Sequence, residues 1–306
     1  MLEEKKITIE VPASTGNVGP GFDCIGLAVD IWNKVTIEKS DGTFEILNQG
    51  ISKEKYDSIP IKENLITKGI MLACPEIDLN NFKIISENNI PFAGGLGSSA
   101  ASISAGLLIG NHLSGNKLNN DELMQMAIAM DGHPDNATPC IHGGLTISYY
   151  DETKSRWIYK KIETNGDLNI MTFVPNFISE TNQSRKKIPS EILLKDAVNN
   201  MSRVALLIDS LKSGDYSYLK SATEDFIHQN IRFESFPQIK FLMGASIEAG
   251  ALGAILSGSG PTLMVFTKGK EFTIDYELKE AARKHNLEGQ ITLTKISNKG
   301  INIIDE

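Results

Sequence analysis

The sequence predicts an α+β fold divided into two domains. Segments with strand periodicity alternate with segments of helical periodicity along all 306 residues, without an internal repeat. A polar interval at residues 163–167 interrupts this pattern, which begins again with an apolar strand at residues 170–174. We therefore predict an N-terminal domain over residues 1–164 and a C-terminal domain over residues 165–306, each long enough to bury a core.

The composition argues against several classes of protein. With 41% hydrophobic and 22% charged residues it is that of an ordinary globular protein. The formal net charge of -8 argues against nucleic acid or an anionic membrane as a partner. There is no apolar signal core and no run of about 18 apolar residues, so we expect a cytoplasmic protein. The three cysteines form no Cys-x-x-Cys pair, which predicts reduced thiols without a zinc site.

In the first half, alternating apolar and polar residues predict the strands and helical spacing predicts the helices. Strands are expected at residues 7–11, 31–37, 44–47, 82–86 and 145–150, and Pro12 should end the first of them. Helices are expected at residues 64–73, 98–113 and 120–131. Asn120 should be the N-cap of the third helix, and Gly132 and Pro134 should end it.

Two polar segments in this half carry side chains that suit either a turn or a ligand site. Residues 13–23 are dense in turn formers and carry Asn17 and Asp23. Residues 133–136, His-Pro-Asp-Asn, follow the end of a helix and are expected to form a turn. Either segment is compatible with a purely structural turn as well as with a ligand site.

The second half predicts a smaller α+β layer. A basic loop at residues 181–189 precedes helices at 190–211, 216–228 and 237–249. A strand then breaks into a second glycine-rich loop at residues 253–262. The expected remaining elements are a strand at 262–267, a helix at 271–285 and a strand at 290–296.

The stretch from Pro91 to Ala101 is the strongest indication of a ligand site. Three glycines allow the backbone to turn and to approach a ligand closely: Gly94, Gly95 and Gly97. Ser98 and Ser99 then begin an apolar helix. A glycine loop that leads into a helix gathers unpaired N–H groups and the positive end of the helix dipole, which suits a polyphosphate. Taken alone, the loop is also compatible with a simple turn before a core helix.

This loop differs from two well-known phosphate loops. A Walker loop needs Lys after its last glycine, whereas Ser98 follows Gly97. A dinucleotide-binding loop needs a strand immediately before it and an acidic residue about 20 residues later. Asn88, Asn89 and Pro91 interrupt the approach, and the segment after Gly110 is polar. The sequence therefore predicts a phosphate loop of another kind.

Three separated segments together resemble the GHMP small-molecule kinases. They are residues 12–23, 91–101 and 253–262, and they occur in the same order as in that superfamily. Within it the chain most resembles the homoserine kinases, on Gly19-Pro20-Gly21-Phe22-Asp23, on Gly132-His133-Pro134-Asp135-Asn136 and on residues 185–189.

The resemblance implies an N-terminal domain like the second domain of ribosomal protein S5 and a C-terminal ferredoxin-like domain, with ATP and substrate between them. It implies that ATP and L-homoserine react to give ADP and O-phospho-L-homoserine, a step toward threonine. It also implies Mg²⁺ and, as in some members, a homodimer. Open alternatives are another GHMP kinase, for mevalonate or a sugar, and a non-catalytic ligand sensor on the same fold.

The resemblance assigns the nucleotide and metal sites. ATP would be bound by Pro91, Phe92, Ala93, Gly94, Gly95, Leu96, Gly97, Ser98, Ser99, Ala100 and Ala101. Mg²⁺ would be held by the hydroxyl of Ser98 or Ser99 and by Asp131. Asp131 stands where the family usually has Glu, so its carboxylate reaches one methylene less far.

Homoserine is a zwitterion with a terminal hydroxyl, so a guanidinium suits its carboxylate and an acidic side chain suits its ammonium. On the resemblance, Arg185 and Arg232 would bind the carboxylate and Asp23 the ammonium. The rest of the substrate pocket would be lined by Asn17, His133, Asp135, Asn136, Thr181 and Gly260.

The catalytic residues implied are Asn136, Ser98 and Asp131. Several relatives place an Asp base beside the acceptor hydroxyl, but the corresponding residue here is Asn136, which cannot take a proton near neutral pH. Phosphoryl transfer has a loose transition state, so positioning and charge neutralisation supply most of the rate. We therefore expect catalysis without a strong general base, with Asn136 orienting the hydroxyl.

Overall fold

A computed structural model describes residues 6–80, 82–177 and 185–305. The strands are β1 Lys6–Gly16, β2 Ile25–Lys39, β3 Glu45–Gly50, β4 Phe82–Asn88, β5 Leu145–Asp151, β6 Arg156–Ile162, β7 Asn169–Pro175, β8 Gly253–Leu256, β9 Leu263–Thr267, β10 Gly289–Lys295 and β11 Asn302–Asp305. The helices are α1 Lys53–Asp57, α2 Leu65–Ala73, α3 Ser98–Leu113, α4 Asn120–Asp131, α5 Pro134–His142, α6 Leu194–Ser213, α7 Leu219–Ala222, α8 Gln229–Phe233, α9 Pro237–Glu248 and α10 Glu271–Lys284.

Two sheets organise these elements, which confirms the predicted α+β class. The first sheet has the order β11-β1-β2-β4-β3, and β5 joins it by pairing with β2 and β6. Within it only β3 and β4 pair in parallel among the described strands. The second sheet is antiparallel, in the order β10-β7-β9-β8. Because β11 pairs with β1, the last described residues lie in the first sheet, and the domain limit at residue 164 stays a prediction.

Two apolar clusters form the core. One extends from the first sheet across α3 and α4 to α6 and includes Phe266 of the second sheet. The other lies between the second sheet and helices α9 and α10. Among the described helices, none has both the length and the apolar character that crossing a membrane requires.

The structure corrects four local predictions, two of them in the N-terminal strands and helices. Pro12 does not end β1: the pairing with β2 shifts register between Pro12 and Ala13, and the strand continues to Gly16. An irregularity at this point accommodates a residue that has no N–H to donate. The N-cap of α4 is Asn119 rather than Asn120, because Asn119 forms a reciprocal capping box with Glu122.

The other two corrections concern segments near the cleft. Residues 134–136 open a helix, α5, instead of forming a turn, because Pro134 occupies its first position, where no N–H is needed. The helix predicted at residues 216–228 is broken into the short α7 and a loop. Asp225 accepts hydrogen bonds from the N–H groups of His228 and Gln229, which starts α8 instead. The hairpin strand β6 was not predicted.

Candidate active site

The glycine loop is anchored through its carbonyl groups. The carbonyl oxygen of Gly94 accepts the Thr262 hydroxyl at 2.6 Å, and that of Gly95 accepts the Ser257 hydroxyl at 2.6 Å. The Leu96 carbonyl accepts the N–H of Ser14 at 3.2 Å. The first strand and the second glycine-rich loop thus hold the carbonyl side of this segment.

The N–H groups of the loop are left for a ligand. Within the described ranges, none of the N–H groups from Gly95 to Ala100 has a hydrogen-bond acceptor. Gly97, at a φ of 71°, is the N-cap of the 16-residue helix α3, so the positive end of that helix dipole lies at the same point. This arrangement fits the predicted binding of a polyphosphate, and the loop with these N–H groups, residues 94–100, is called the cradle below.

The cradle opens into a cleft of about 660 Å³. An apolar group of lining residues includes Tyr56, Ile59, Leu65, Ile66 and Phe92, and a polar group includes Asp23, Asp131, His133, Asp135, Asn136, Arg185 and Arg232. The apolar group can accept a nucleobase, and the polar group can accept a small charged substrate.

Asp23 and Arg185 form a bidentate ion pair in the cleft. Arg185 Nη1 donates to Asp23 Oδ1 at 3.0 Å, and Nη2 donates to Oδ2. This hydrogen bonding raises the pKa of Arg185. The guanidinium carbons of Arg185 and Arg232 lie 5.5 and 5.7 Å from the ring centre of Phe22, so both arginines flank one aromatic ring.

Arg232 is a buried cation with an unused donor. Only 3% of it is exposed, and burial lowers its pKa to about 10, which leaves it charged near neutral pH. Nη1 donates to the Gly258 carbonyl at 2.6 Å and contacts Nδ1 of His228 at 3.0 Å. Nε is buried and has no acceptor among the described residues. A buried donor without a partner is costly, so this edge of the guanidinium is suited to an anionic ligand.

Asn17 joins these groups together. Its N–H donates to Asp135 Oδ2 at 3.0 Å, and its Nδ2 donates to the Gly258 carbonyl at 2.9 Å. Its Oδ1 accepts the N–H of Asp23 at 3.0 Å. Asn17 and Asp23 both have positive φ, which Asn and Asp tolerate better than most residues. Asn17 therefore shapes the loop that presents Asp23.

Asp135 is a buried acid at the base of the cleft. Burial, and then the nearby charge of Asp23, raises the pKa of Asp135 to about 7. Its neighbour Asn136 lines the cleft and accepts the Ser14 hydroxyl on Oδ1 at 3.0 Å. The amide of Asn136 is thus oriented by the first strand, as a group that positions a hydroxyl would need to be.

Ser99 and Asp131 meet at the start of α3. The Ser99 hydroxyl donates to Asp131 Oδ1 at 2.7 Å, and burial raises the pKa of Asp131. The Ser98 hydroxyl instead accepts the N–H of Ala93 at 3.3 Å. No group of three or more His, Cys, Asp or Glu ligands occurs in the part of the chain that the structure describes. One hydroxyl and one carboxylate beside a phosphate cradle nevertheless fit Mg²⁺, which usually keeps waters and binds phosphate oxygens.

The other predicted residues are divided between the cleft and its supports. Those lining the cleft are Phe92, Ala93, Gly95, Gly97, Ser98, Ser99, Ala100 and His133. Those not among the lining residues are Pro91, Gly94, Leu96, Ala101 and Gly260. A Cβ added to Gly95 would lie 2.9 Å from the Gly260 carbonyl, so Gly260 backs the cradle. Thr181 lies outside the described residues.

Sequence reasoning missed two residues of this site. The Gly258 carbonyl accepts hydrogen bonds from both Asn17 and Arg232, and His228 contacts the Arg232 guanidinium. The four-residue spacing between His228 and Arg232 was an available signal, because side chains at that spacing share one helix face. A carbonyl contact such as that of Gly258 has no sequence signal.

The fold and this cleft define the chain as a GHMP-type kinase. It matches the GHMP kinases N terminal domain over residues 64–144 and the GHMP kinases C terminal domain over residues 207–286. The two matches contain the cradle and the second glycine-rich loop.

Relatives that match nearly the whole chain show which family of GHMP-type kinases it belongs to. The chain is 36% identical to a homoserine kinase of Clostridium beijerinckii, over 98% of this chain and 99% of the relative. It is 34% identical to one of Halothermothrix orenii, over 96% and 95%. A crystal structure of homoserine kinase from Cytophaga hutchinsonii superposes with a TM-score of 0.86, at 26% identity and 99% coverage of both chains. The chain belongs to the homoserine kinase family.

Proposed function

We propose that this protein transfers the γ-phosphoryl group of ATP to the side-chain hydroxyl of L-homoserine, a step in threonine biosynthesis. The observation that carries the proposal is that Nε of buried Arg232, beside the Asp23–Arg185 pair, has no acceptor in the part of the chain that the structure describes. The site thus offers cations for a carboxylate and an acid for an ammonium. Family membership agrees with this chemistry.

In the bound state the substrate carboxylate takes the Nε edge of Arg232 and the guanidinium of Arg185. The ammonium then replaces Arg185 as the partner of Asp23. A zwitterionic substrate thereby replaces the Asp23–Arg185 ion pair with two new ones, and neither side chain is left without a partner. Charge-assisted hydrogen bonds of this kind are stronger than those between neutral groups. His133, Asp135 and Asn17 support this end of the cleft.

ATP binds with its phosphates on the N–H groups of residues 95–100 and its base against the apolar group around Tyr56 and Phe92. Ser99 and Asp131 are the residues that would hold Mg²⁺, which supplies neutralisation of the phosphate charge. Ser99 is preferred to Ser98 because its hydroxyl already contacts the carboxylate. Asn136 orients the acceptor hydroxyl, and the proton passes to the phosphoryl oxygen or to water because an amide such as that of Asn136 cannot take a proton near neutral pH.

A coupled ADP-release assay with homoserine, serine, mevalonate and galactose tests the proposal. We expect turnover with homoserine at least about tenfold above each of the others, a difference of about 1.4 kcal/mol in activation free energy. Preferred turnover of mevalonate or galactose would support another GHMP kinase. ATP binding without ADP release from any of the four would support a ligand sensor.

Asp23→Ala separates the amino-acid kinase from these alternatives. The variant should lose activity on homoserine far more than on 4-hydroxybutyrate, which lacks the ammonium group. Equal losses on both acceptors would show that Asp23 does not read the ammonium. Lys53→Ala, which removes an exposed surface ion pair with Asp57, is the control for a general charge effect.

A further inference from the structure

A buried histidine connects two parts of the substrate site. His228 is fully buried and lies immediately before α8, four residues ahead of Arg232. Its Nε2 lies 2.8 Å from the carbonyl oxygen of Gly19, and its Nδ1 lies 3.0 Å from Arg232 Nη1. It therefore contacts both the loop that carries Asp23 and the arginine that faces it.

These two contacts fix the protonation state of the imidazole. A carbonyl oxygen only accepts, so Nε2 must carry the hydrogen, and a guanidinium only donates, so Nδ1 must be bare. The neutral Nε2–H tautomer of His228 alone satisfies both conditions. Burial favours the same state and lowers the pKa of His228 to about 4, although the charge of Asp225 acts in the opposite direction and that of Arg232 in the same one.

Asp225 and Asn200 fix this arrangement from the other side. Asp225 Oδ2 accepts the N–H of His228 at 2.7 Å. Asn200 Nδ2 lies 2.9 Å from Asp225 Oδ1 and 3.1 Å from the Pro20 carbonyl. Two successive carbonyl groups of the loop, those of Gly19 and Pro20, are thus bound to the C-terminal half of the chain.

We propose that His228 is a positioning residue for amino-acid recognition, which fixes the position of the Arg232 guanidinium relative to the loop that presents Asp23. The inference rests on the proposed function, because it takes Arg232 as the carboxylate site and Asp23 as the ammonium site. With Nη1 occupied by His228 and the Gly258 carbonyl, the Nε edge of Arg232 stays fixed for the substrate. His228 itself does not touch the reacting atoms.

Three substitutions separate the two contacts. His228→Asn keeps an acceptor near the position of Nδ1 and loses the donor to Gly19. His228→Gln keeps a donor near the position of Nε2 and loses the acceptor for Arg232. His228→Ala loses both. His142→Ala is the matched control, because it removes another largely buried imidazole that contacts Tyr159 and does not line the cleft.

Steady-state kinetics provide the first test. His228→Ala loses a hydrogen bond to the charged Arg232 guanidinium. It should therefore raise KM for homoserine about ten- to hundredfold, with KM for ATP within about twofold of wild type. His228→Asn should recover most of this loss and His228→Gln little of it. The proposal is overturned if both KM values rise together, or if Gln restores homoserine binding as well as Asn. If the Ala variant does not fold, the Asn and Gln pair still decides.

Imidazole ¹⁵N NMR on the wild-type protein gives an independent test. His228 should show the Nε2–H tautomer and should not titrate between about pH 8 and pH 5. The proposal fails if His228, assigned by its loss in His228→Asn, is protonated or in the Nδ1–H form. A wild-type protein that does not phosphorylate homoserine would instead refute the proposed function, and the NMR result would still report on the contact with Arg232.

Discussion

Gly97→Ala tests whether the cradle at the start of α3 depends on the close packing of its backbone against neighbouring groups. A Cβ on Gly97 would lie 2.1 Å from Ser14 Oγ, whereas real Cβ contacts start near 3.0 Å. Ser14 is fully buried and donates to Asn136, so it has little room to yield. The loop must therefore move by about 1 Å, a displacement that can cost about a hundredfold in rate.

Gly115→Ala is the control because it shares the backbone cost without the collision. Gly97 and Gly115 have φ of 71° and 88°, and an added Cβ at Gly115 meets nothing within 4 Å. Each alanine should cost about 1–2 kcal/mol in backbone strain and lower Tm by about 2–4 °C. In the ADP-release assay, kcat/KM for ATP should fall about a hundredfold in Gly97→Ala and stay within about twofold in Gly115→Ala.

The collision itself can be relieved by a second substitution. In Ser14→Ala/Gly97→Ala the next contact of the new Cβ is the backbone carbonyl of residue 14 at 3.0 Å. Since Ser14→Ala by itself loses the hydrogen bond to Asn136, the double variant is compared with Ser14→Ala, and the loss caused by Gly97→Ala should be smaller in that background than in wild type. Near-UV circular dichroism establishes that each variant is folded. The reasoning is refuted if Gly97→Ala keeps more than about a third of wild-type activity, or if it costs as large a factor in the Ser14→Ala background as in wild type.

Three further predictions concern the other polar groups of the cleft. Ser99→Ala and Asp131→Asn should each raise the Mg²⁺ concentration for half-maximal activity about tenfold, measured by Mg²⁺ titration at fixed ATP, whereas Ser98→Ala should not. Asn136→Asp should bind homoserine without gaining turnover; a gain of about tenfold or more would show that a base had been missing. Because Asp135 holds its proton up to about pH 7 in the folded state but only to about 3.8 when unfolded, its contribution to stability falls as pH rises between these values. Asp135→Asn should therefore gain about 2 kcal/mol relative to wild type between pH 5 and pH 8 in urea unfolding, and a constant difference would contradict the assignment.

The features that were predictable from the sequence have local causes. The start of α3 at Ser98 and the stop of α4 at Gly132 follow from glycine conformations and helix-forming residues, and both are confirmed. The helix break at Asp225 and the continuation of β1 past Pro12 were not predicted, because a buried side chain decides the first and a partner strand the second. Tertiary contacts override local preference at such places.

The juxtaposition of the site residues has a different origin. Asp23 and Arg185 are 162 positions apart in the chain, and their contact depends on a tertiary fold that brings the loop after β1 to the segment after β7. No periodicity carries that information. Resemblance to a family supplied the residue types, and the structure adds the connections between them through Asn17 and His228.

The ion pair between Asp23 and Arg185 explains how a weak interaction can give strong selection. Both side chains are partly exposed, at 30% and 41%, so the pair contributes at most about 1 kcal/mol and opens readily. Once a ligand fills the cleft and excludes water, however, a charge left without a partner costs several kcal/mol. We infer that a hydroxy acid without an ammonium group is rejected mainly because it leaves the Asp23 carboxylate without a partner. Selection for a zwitterion therefore arises from the penalty for the wrong ligand more than from the strength of any bond to the right one.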